Sequence, residues 1–186
     1  MTPFGVVTAR AARLDRANID TDQIIPARFL RKPRSAGYDK FLFHDLPEAR
    51  AAMRGASIIL AGENFGCGSS REGAVYALVD AGIRCVLAPS FGDIFAGNAG
   101  KNGLLTLALQ AETLNQLHAA SPEMTVSLPA QTLSAGALHI PFDIDPFRKR
   151  CLIEGLDDIS LTLTHAGAIE AWRRADQTAR PWMVPN

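Results

Sequence analysis

The sequence predicts a mixed α/β domain built around a parallel crossover unit. Three observations predict it. A short apolar run, Ile58-Ile59-Leu60-Ala61, lies between Gly55 and Gly62 and has the length of a buried strand. A glycine-rich loop follows, then apolar residues at helical spacing (Ala74, Val75, Leu78, Val79) stopped by Gly82, then a further strand, Ile83-Arg84-Cys85-Val86-Leu87-Ala88, ended by Pro89. Strand, loop, helix and strand in that order form a parallel crossover unit whose first loop lies at the carboxyl end of its first strand, the end where such sheets collect ligands. Finally, short alternating runs near 125–140 read as antiparallel strands.

Taken in order, residues 5–14 read as a first strand. Asn18-Ile19-Asp20-Thr21-Asp22 concentrates capping residues into a tight turn that leads to Ile24-Ile25-Pro26. From Arg28 to Gly37 the chain is basic, contains Pro33 and has no period, so it reads as a mobile loop over about 30–37; loops of this length tend to carry function. After the crossover come a short helix near 91–96, a glycine-rich turn at 97–103, a strand over 104–109 and a helix over 112–120. Strands are expected at 125–128, 131–134 and 137–140, with a turn at Ser134-Ala135-Gly136. Asp145-Pro146 is an N-cap followed by proline at the first helical position, and Gly155 ends that helix. Leu156-Asp157-Asp158-Ile159 opens a last helical region running toward Trp172. The expected organisation is one domain over 1–186 with a C-terminal helical extension from about 145.

The chain has 186 residues with 19 Lys+Arg balanced by 19 Asp+Glu, leaving no overall field to attract nucleic acid or anionic lipid. Cys67, Cys85 and Cys151 are too far apart in sequence for the close cysteine pairs of a self-contained zinc or iron–sulfur site, and no disulfide framework is expected. The start of the chain carries no basic stretch followed by an apolar core, and no apolar run reaches bilayer length, so the expected location is the cytoplasm.

Chemistry concentrates in Gly66-Cys67-Gly68-Ser69-Ser70-Arg71. Before a helix start, backbone N–H groups and the positive end of the helix dipole favour an anion. The planar fork of Arg71 matches a carboxylate. Ser69, one residue before the expected cap Ser70, faces the same ligand, and amide donors with a cation can stabilise its alkoxide as a base. The same loop also fits a plain turn with an N-cap. Other motifs fail on spacing: there is no Gly-x-Ser-x-Gly, Arg71 stands where a dinucleotide fingerprint has Gly or Ala, and Gly100-Lys101 lacks the rest of a P-loop. Cys67 reads as space-filling, Cys85 and Cys151 as core, and the four histidines have no ligand spacing. Asp20 and Asp22 read as turn and cap residues, and Glu72 as support for the first helical turn.

Several ordered motifs resemble those of a known family. They are Asn18-Ile19-Asp20-Thr21-Asp22 with Ile24-Ile25-Pro26; Glu63 through Glu72; Ala88-Pro89-Ser90-Phe91 with Asp93-Ile94-Phe95 and Gly97-Asn98; and, toward the C-terminus, 147–152 with 155–163. Together they resemble the small-subunit family of 3-isopropylmalate dehydratases, the detached swivel domain of the aconitase superfamily. The resemblance implies a swivelling β/β/α fold and a large partner subunit carrying a 4Fe-4S cluster, with no cofactor bound by this chain. It also implies isomerisation of 2- and 3-isopropylmalate by dehydration and rehydration in leucine biosynthesis. It puts the catalytic base on Ser69 and the carboxylate clamp on Arg71, with Ser70 and Gly68 beside the substrate and Arg31 the contact from the recognition loop. Two positions depart from the family pattern: Gly73 stands where a histidine is usual, and Leu104-Leu105-Thr106 replaces Leu-Leu-Pro. The first leaves open another small dicarboxylate substrate, such as citraconate or dimethylmaleate, or a non-catalytic anion-binding module.

Overall fold

The computed structural model describes residues 1–69 and 71–183. Its centre is a seven-stranded sheet in the order β4-β3-β2-β1-β5-β6-β7. These strands are β1 (Val6–Leu14), β2 (Ala56–Ala61), β3 (Cys85–Ala88), β4 (Leu105–Ala108), β5 (Glu123–Ser127), β6 (Thr132–Ala135) and β7 (Leu138–Pro141). β1 to β4 run parallel, whereas β5, β6 and β7 extend the sheet antiparallel from the other edge of β1.

The parallel half is covered on both faces, which explains its near-continuous apolar runs. Successive residues of β2 and β3 point to opposite sides, so Ile59, Ala61, Val86 and Ala88 enter one core while Ile58, Leu60, Cys85 and Leu87 enter the other. The first core packs under α1 (Thr21–Ile24), α2 (Pro47–Ala52), α3 (Glu72–Asp80) and α4 (Asp93–Lys101); the second under α5 (Ala111–Ala120) and α6 (Pro146–Glu154). Two further helices, α7 (Asp158–Leu163) and α8 (Ala166–Ala179), bury none of their residues.

Several expectations are corrected. The turn at 18–22 contains the one-turn helix α1, closed by a capping box between Asp20 and Gln23. α3 begins at Glu72 with Arg71 at its N-cap, not at Ser70, because Arg71 still has extended backbone angles; Ser70 itself lies outside the described residues. α4 runs on through Gly97 and Gly100, where a turn was expected. There the missing side chain of Gly100 admits Arg148, which donates to the Ala96 carbonyl at 2.8 Å. α2 is not foreseen by the sequence pattern. The segment read as a loop over about 30–37 contains a short 3₁₀ turn at Arg34–Ala36 and lies between two more, Ala27–Phe29 and Tyr38–Phe41.

This segment lies along one stripe of α3. Leu30 covers Gly73, the Arg34 guanidinium stacks 4.1 Å from the centre of the Tyr76 ring, and Arg34 reaches Asp80 at 2.7 Å. Positions 73, 76 and 80 share a helix face, so the stripe follows from helical spacing.

Candidate functional site

Three connections meet at the carboxyl ends of β1, β2 and β3. The Phe65 N–H donates to the Ser90 carbonyl at 3.1 Å, and the Gly92 N–H returns a bond to Phe65 at 2.9 Å. The Gly66 N–H donates to Ile19 at 2.7 Å and the Thr21 N–H to Cys67 at 3.1 Å. The glycines of the central loop are there for close approach. A Cβ on Gly66 would overlap the Phe95 ring, and one on Gly92 would stand 2.6 Å from the Gly66 carbonyl oxygen. Gly66 and Gly68 also have φ of 74° and 83°, in the region that side chains avoid.

This lashing presents Ser69 and Arg71 at the start of α3. Ser69 is exposed, and its carbonyl accepts a 2.6 Å bond from the buried Thr21 hydroxyl. Gly68, also exposed, would bring a Cβ within 3.3 Å of the Asp20 Cβ. Arg71 is half-buried and pairs with Asp22. Arg31 is exposed just beyond the first 3₁₀ turn. The first turn of α3 directs its unpaired N–H groups toward the loop, while Glu72 accepts a bond from Asn102 at 2.8 Å.

Asp22 is the member that sequence reasoning misses. Its Oδ1 accepts from the Ala27 N–H at 2.7 Å and from Arg71. The Ala27 N–H, and then Arg71, hold this carboxyl below its ordinary pKa. Asp22 thus ties the start of the basic segment to Arg71, its carboxylate resting on the guanidinium. The density of acids in 18–22 is visible in the sequence, but a partner 49 positions away is not. Asp20, by contrast, is the cap it was read to be.

A second ionic group anchors the basic segment. Arg28 forks onto Asp45 at 2.7 and 2.5 Å, and His44 Nδ1 lies 3.0 Å from the same carboxyl. Arg28 first, and then His44, hold the Asp45 carboxyl well below the usual range. Beside them Phe29 stacks on Phe41 with ring centres 4.3 Å apart.

Among the described residues no group of three or more His, Cys, Asp or Glu side chains could hold a metal ion. Cys85 is sealed in the core, where burial pushes its thiol pKa far up, and Cys67 and Cys151 are half-buried. These donors do not fit a cluster site within this chain. No helix of the described residues is long and apolar enough to cross a membrane.

A family model described as the aconitase C-terminal domain matches residues 38–112, from just after the basic segment through the glycine loop and β4 to the start of α5. The 3-isopropylmalate dehydratase small subunit of Roseobacter denitrificans is 44% identical over 201 residues, covering 98% of this chain and 100% of the relative. The chain belongs to the 3-isopropylmalate dehydratase small-subunit family. A family member of the same name from Francisella tularensis subsp. novicida is 45% identical over 188 residues, with coverage of 95% and 100%. The crystal structure of a 3-isopropylmalate dehydratase from Methanocaldococcus jannaschii superposes with a TM-score of 0.71 at 26% identity, over 90% of this chain and 99% of that one. The mixed sheet is accordingly the swivel-type fold of the aconitase family, as the small-subunit resemblance implied.

Proposed function

We propose that this chain is the small subunit of a 3-isopropylmalate dehydratase, a hydro-lyase of leucine biosynthesis that interconverts 2- and 3-isopropylmalate by dehydration and rehydration. Family membership over nearly the full length supports the reaction. The observation that carries the site is Asp22 on Arg71: the guanidinium at the loop end already binds a carboxylate. A substrate carboxylate would share or take over that position, held by charge-assisted hydrogen bonds each worth about 1.5–3 kcal/mol.

In this reading Arg71 orients the substrate through one carboxylate. Ser69 then removes the proton from the carbon beside a carboxylate as the hydroxyl departs from the neighbouring carbon, and returns a proton on rehydration in the other orientation. The N–H groups at the start of α3 and the Arg71 charge favour the ionised form of Ser69. Gly68 keeps the backbone next to the base free of side chain, Ser70 adds a hydroxyl, and Arg31 contacts the substrate from the basic segment. The 4Fe-4S cluster we assign to the large partner subunit supplies Lewis acidity toward the departing hydroxyl. Assembly with that subunit in the cytoplasm completes the proposal.

The test is anaerobic reconstitution with the large subunit, comparing isopropylmalate with citraconate and dimethylmaleate derivatives. Absence of isopropylmalate turnover by the wild-type pair would overturn the substrate assignment. Arg71→Lys is expected to lower kcat/KM roughly tenfold to a hundredfold, and a loss under about threefold would remove the clamp role. Ser69→Ala is expected to abolish turnover with assembly intact; persistent turnover would remove Ser69 as base.

A further inference from the structure

Gly73 is the second residue of α3, in ordinary helical conformation, so nothing in its backbone angles calls for glycine. Glycine there costs conformational entropy that alanine would not. What it permits is contact. A Cβ at this position would overlap Leu30 Cδ2 and stand 3.4 Å from the Tyr38 ring. Leu30 is half-buried against the core under the sheet, while Arg31 beside it is exposed. The segment that begins at Ala27 is thus fastened to the site twice: Asp22 holds both the Ala27 N–H and Arg71, and Leu30 fills the space left open two residues beyond Arg71.

We propose that the contact between Leu30 and the bare backbone of Gly73 is a seat that positions the 27–31 segment against Arg71, making Leu30 and Gly73 positioning residues of the substrate site. A methyl at 73 cannot share that space with Leu30 Cδ2, so the Leu30 side chain must leave it and the segment carrying Arg31 loses this fastening. Leu30 and Gly73 act through the segment they place and contact neither the base nor the clamped carboxylate. The inference rests on the reading of Arg71 as the substrate clamp.

The test uses Gly73→Ala, Leu30→Ala and the double variant. Hydrogen exchange is followed on the isolated chain, and kinetics with 2-isopropylmalate on the complex with its large subunit. In Gly73→Ala, exchange of the Phe29, Leu30 and Lys32 amides, which bond to Pro26, Ala27 and Phe29, is expected to speed up. KM is expected to rise about fivefold or more with kcat within about twofold. In the double variant the space vacated by Leu30 accepts the new methyl, so its KM should equal that of Leu30→Ala within about twofold. An unchanged KM in Gly73→Ala overturns the seat, with or without faster exchange. So does a raised KM that persists undiminished in the Leu30→Ala background, since the substrate would then be sensing position 73 directly. If the wild-type complex fails to turn over isopropylmalate while the exchange effect remains, the functional reading has failed and not the seat.

Discussion

The two halves of the sheet are joined through β1 yet built for different ends. In the parallel half both faces are buried, and every crossover returns the chain so that the connections after β1, β2 and β3 gather at one end, where Asp22, Ser69 and Arg71 come together. In the antiparallel half one face packs on Met124, Val126, Leu133 and Ala135, while the other carries a polar row of Thr8, Thr125, Ser134 and His139 running from strand to strand. Thr8 and Thr125 share a 2.9 Å hydroxyl hydrogen bond in that row. The difference teaches that chemistry follows connectivity: parallel strands need long crossovers, which place loops at one end, whereas hairpins spend few residues and leave little to build a site with.

The largest test of this contrast uses glycines with positive φ on the two sides. Gly66→Ala forces a methyl into the Phe95 ring and should cost more than about 3 kcal/mol or prevent folding. Gly136→Ala, in the hairpin between β6 and β7, meets nothing nearer than the Ala120 carbonyl oxygen at 3.2 Å and should cost about 1 kcal/mol. Urea denaturation of the pair measures the difference, and equal losses would refute it.

Next in size, Ile59→Ala empties a site buried in the middle of the parallel half and should cost about 2–5 kcal/mol, while Thr125→Ala on the open face should stay within about 0.5–1 kcal/mol. Comparable denaturation midpoints for these two variants would mean that the antiparallel half is covered as well.

A smaller effect comes with acid. The Asp22 and Asp45 carboxyls are held below their unfolded values, so what they contribute is present above about pH 4 and is lost as pH falls further, through the folded pKa values. Both lie on the site side of the molecule. Amide signals of Ala27 and its neighbours should therefore shift before those of β5 to β7 in an acid titration followed by NMR. Simultaneous change in both regions would argue against this order.

Cysteine labelling gives the mildest contrast. Maleimide at neutral pH should modify Cys67 and Cys151 and spare Cys85, whose thiol is fully buried in β3. Modification of Cys85 in the native protein would show that the parallel half opens.

The β-strands were legible because their signal is local. Ile58 to Ala61 and Cys85 to Ala88 are apolar for their whole length, and strands buried on both faces need just that. The glycine loop and its candidates Ser69 and Arg71 were equally legible, since glycine, hydroxyl and guanidinium before a helix have a limited set of uses. The full length of α4 is not legible locally, since Gly97 and Gly100 look like breakers unless the arrival of Arg148 is known. Residue type alone suggests a cap at Ser70, while the extended backbone of Arg71 that delays the helix to Glu72 depends on the lashed loop.

By itself the sequence determined the mixed α/β class, the order of strand, loop, helix and strand, and which residues bear charge and hydroxyl at the loop end. Those depend on periodicity and on residue chemistry over a few neighbours. Only the tertiary structure decided that Asp22 rests on Arg71, that Leu30 occupies the space of a side chain missing at Gly73, and that the basic segment runs along one stripe of α3. Each of these joins positions more than 40 residues apart, and such pairings are selected by packing of the whole sheet rather than by any local preference.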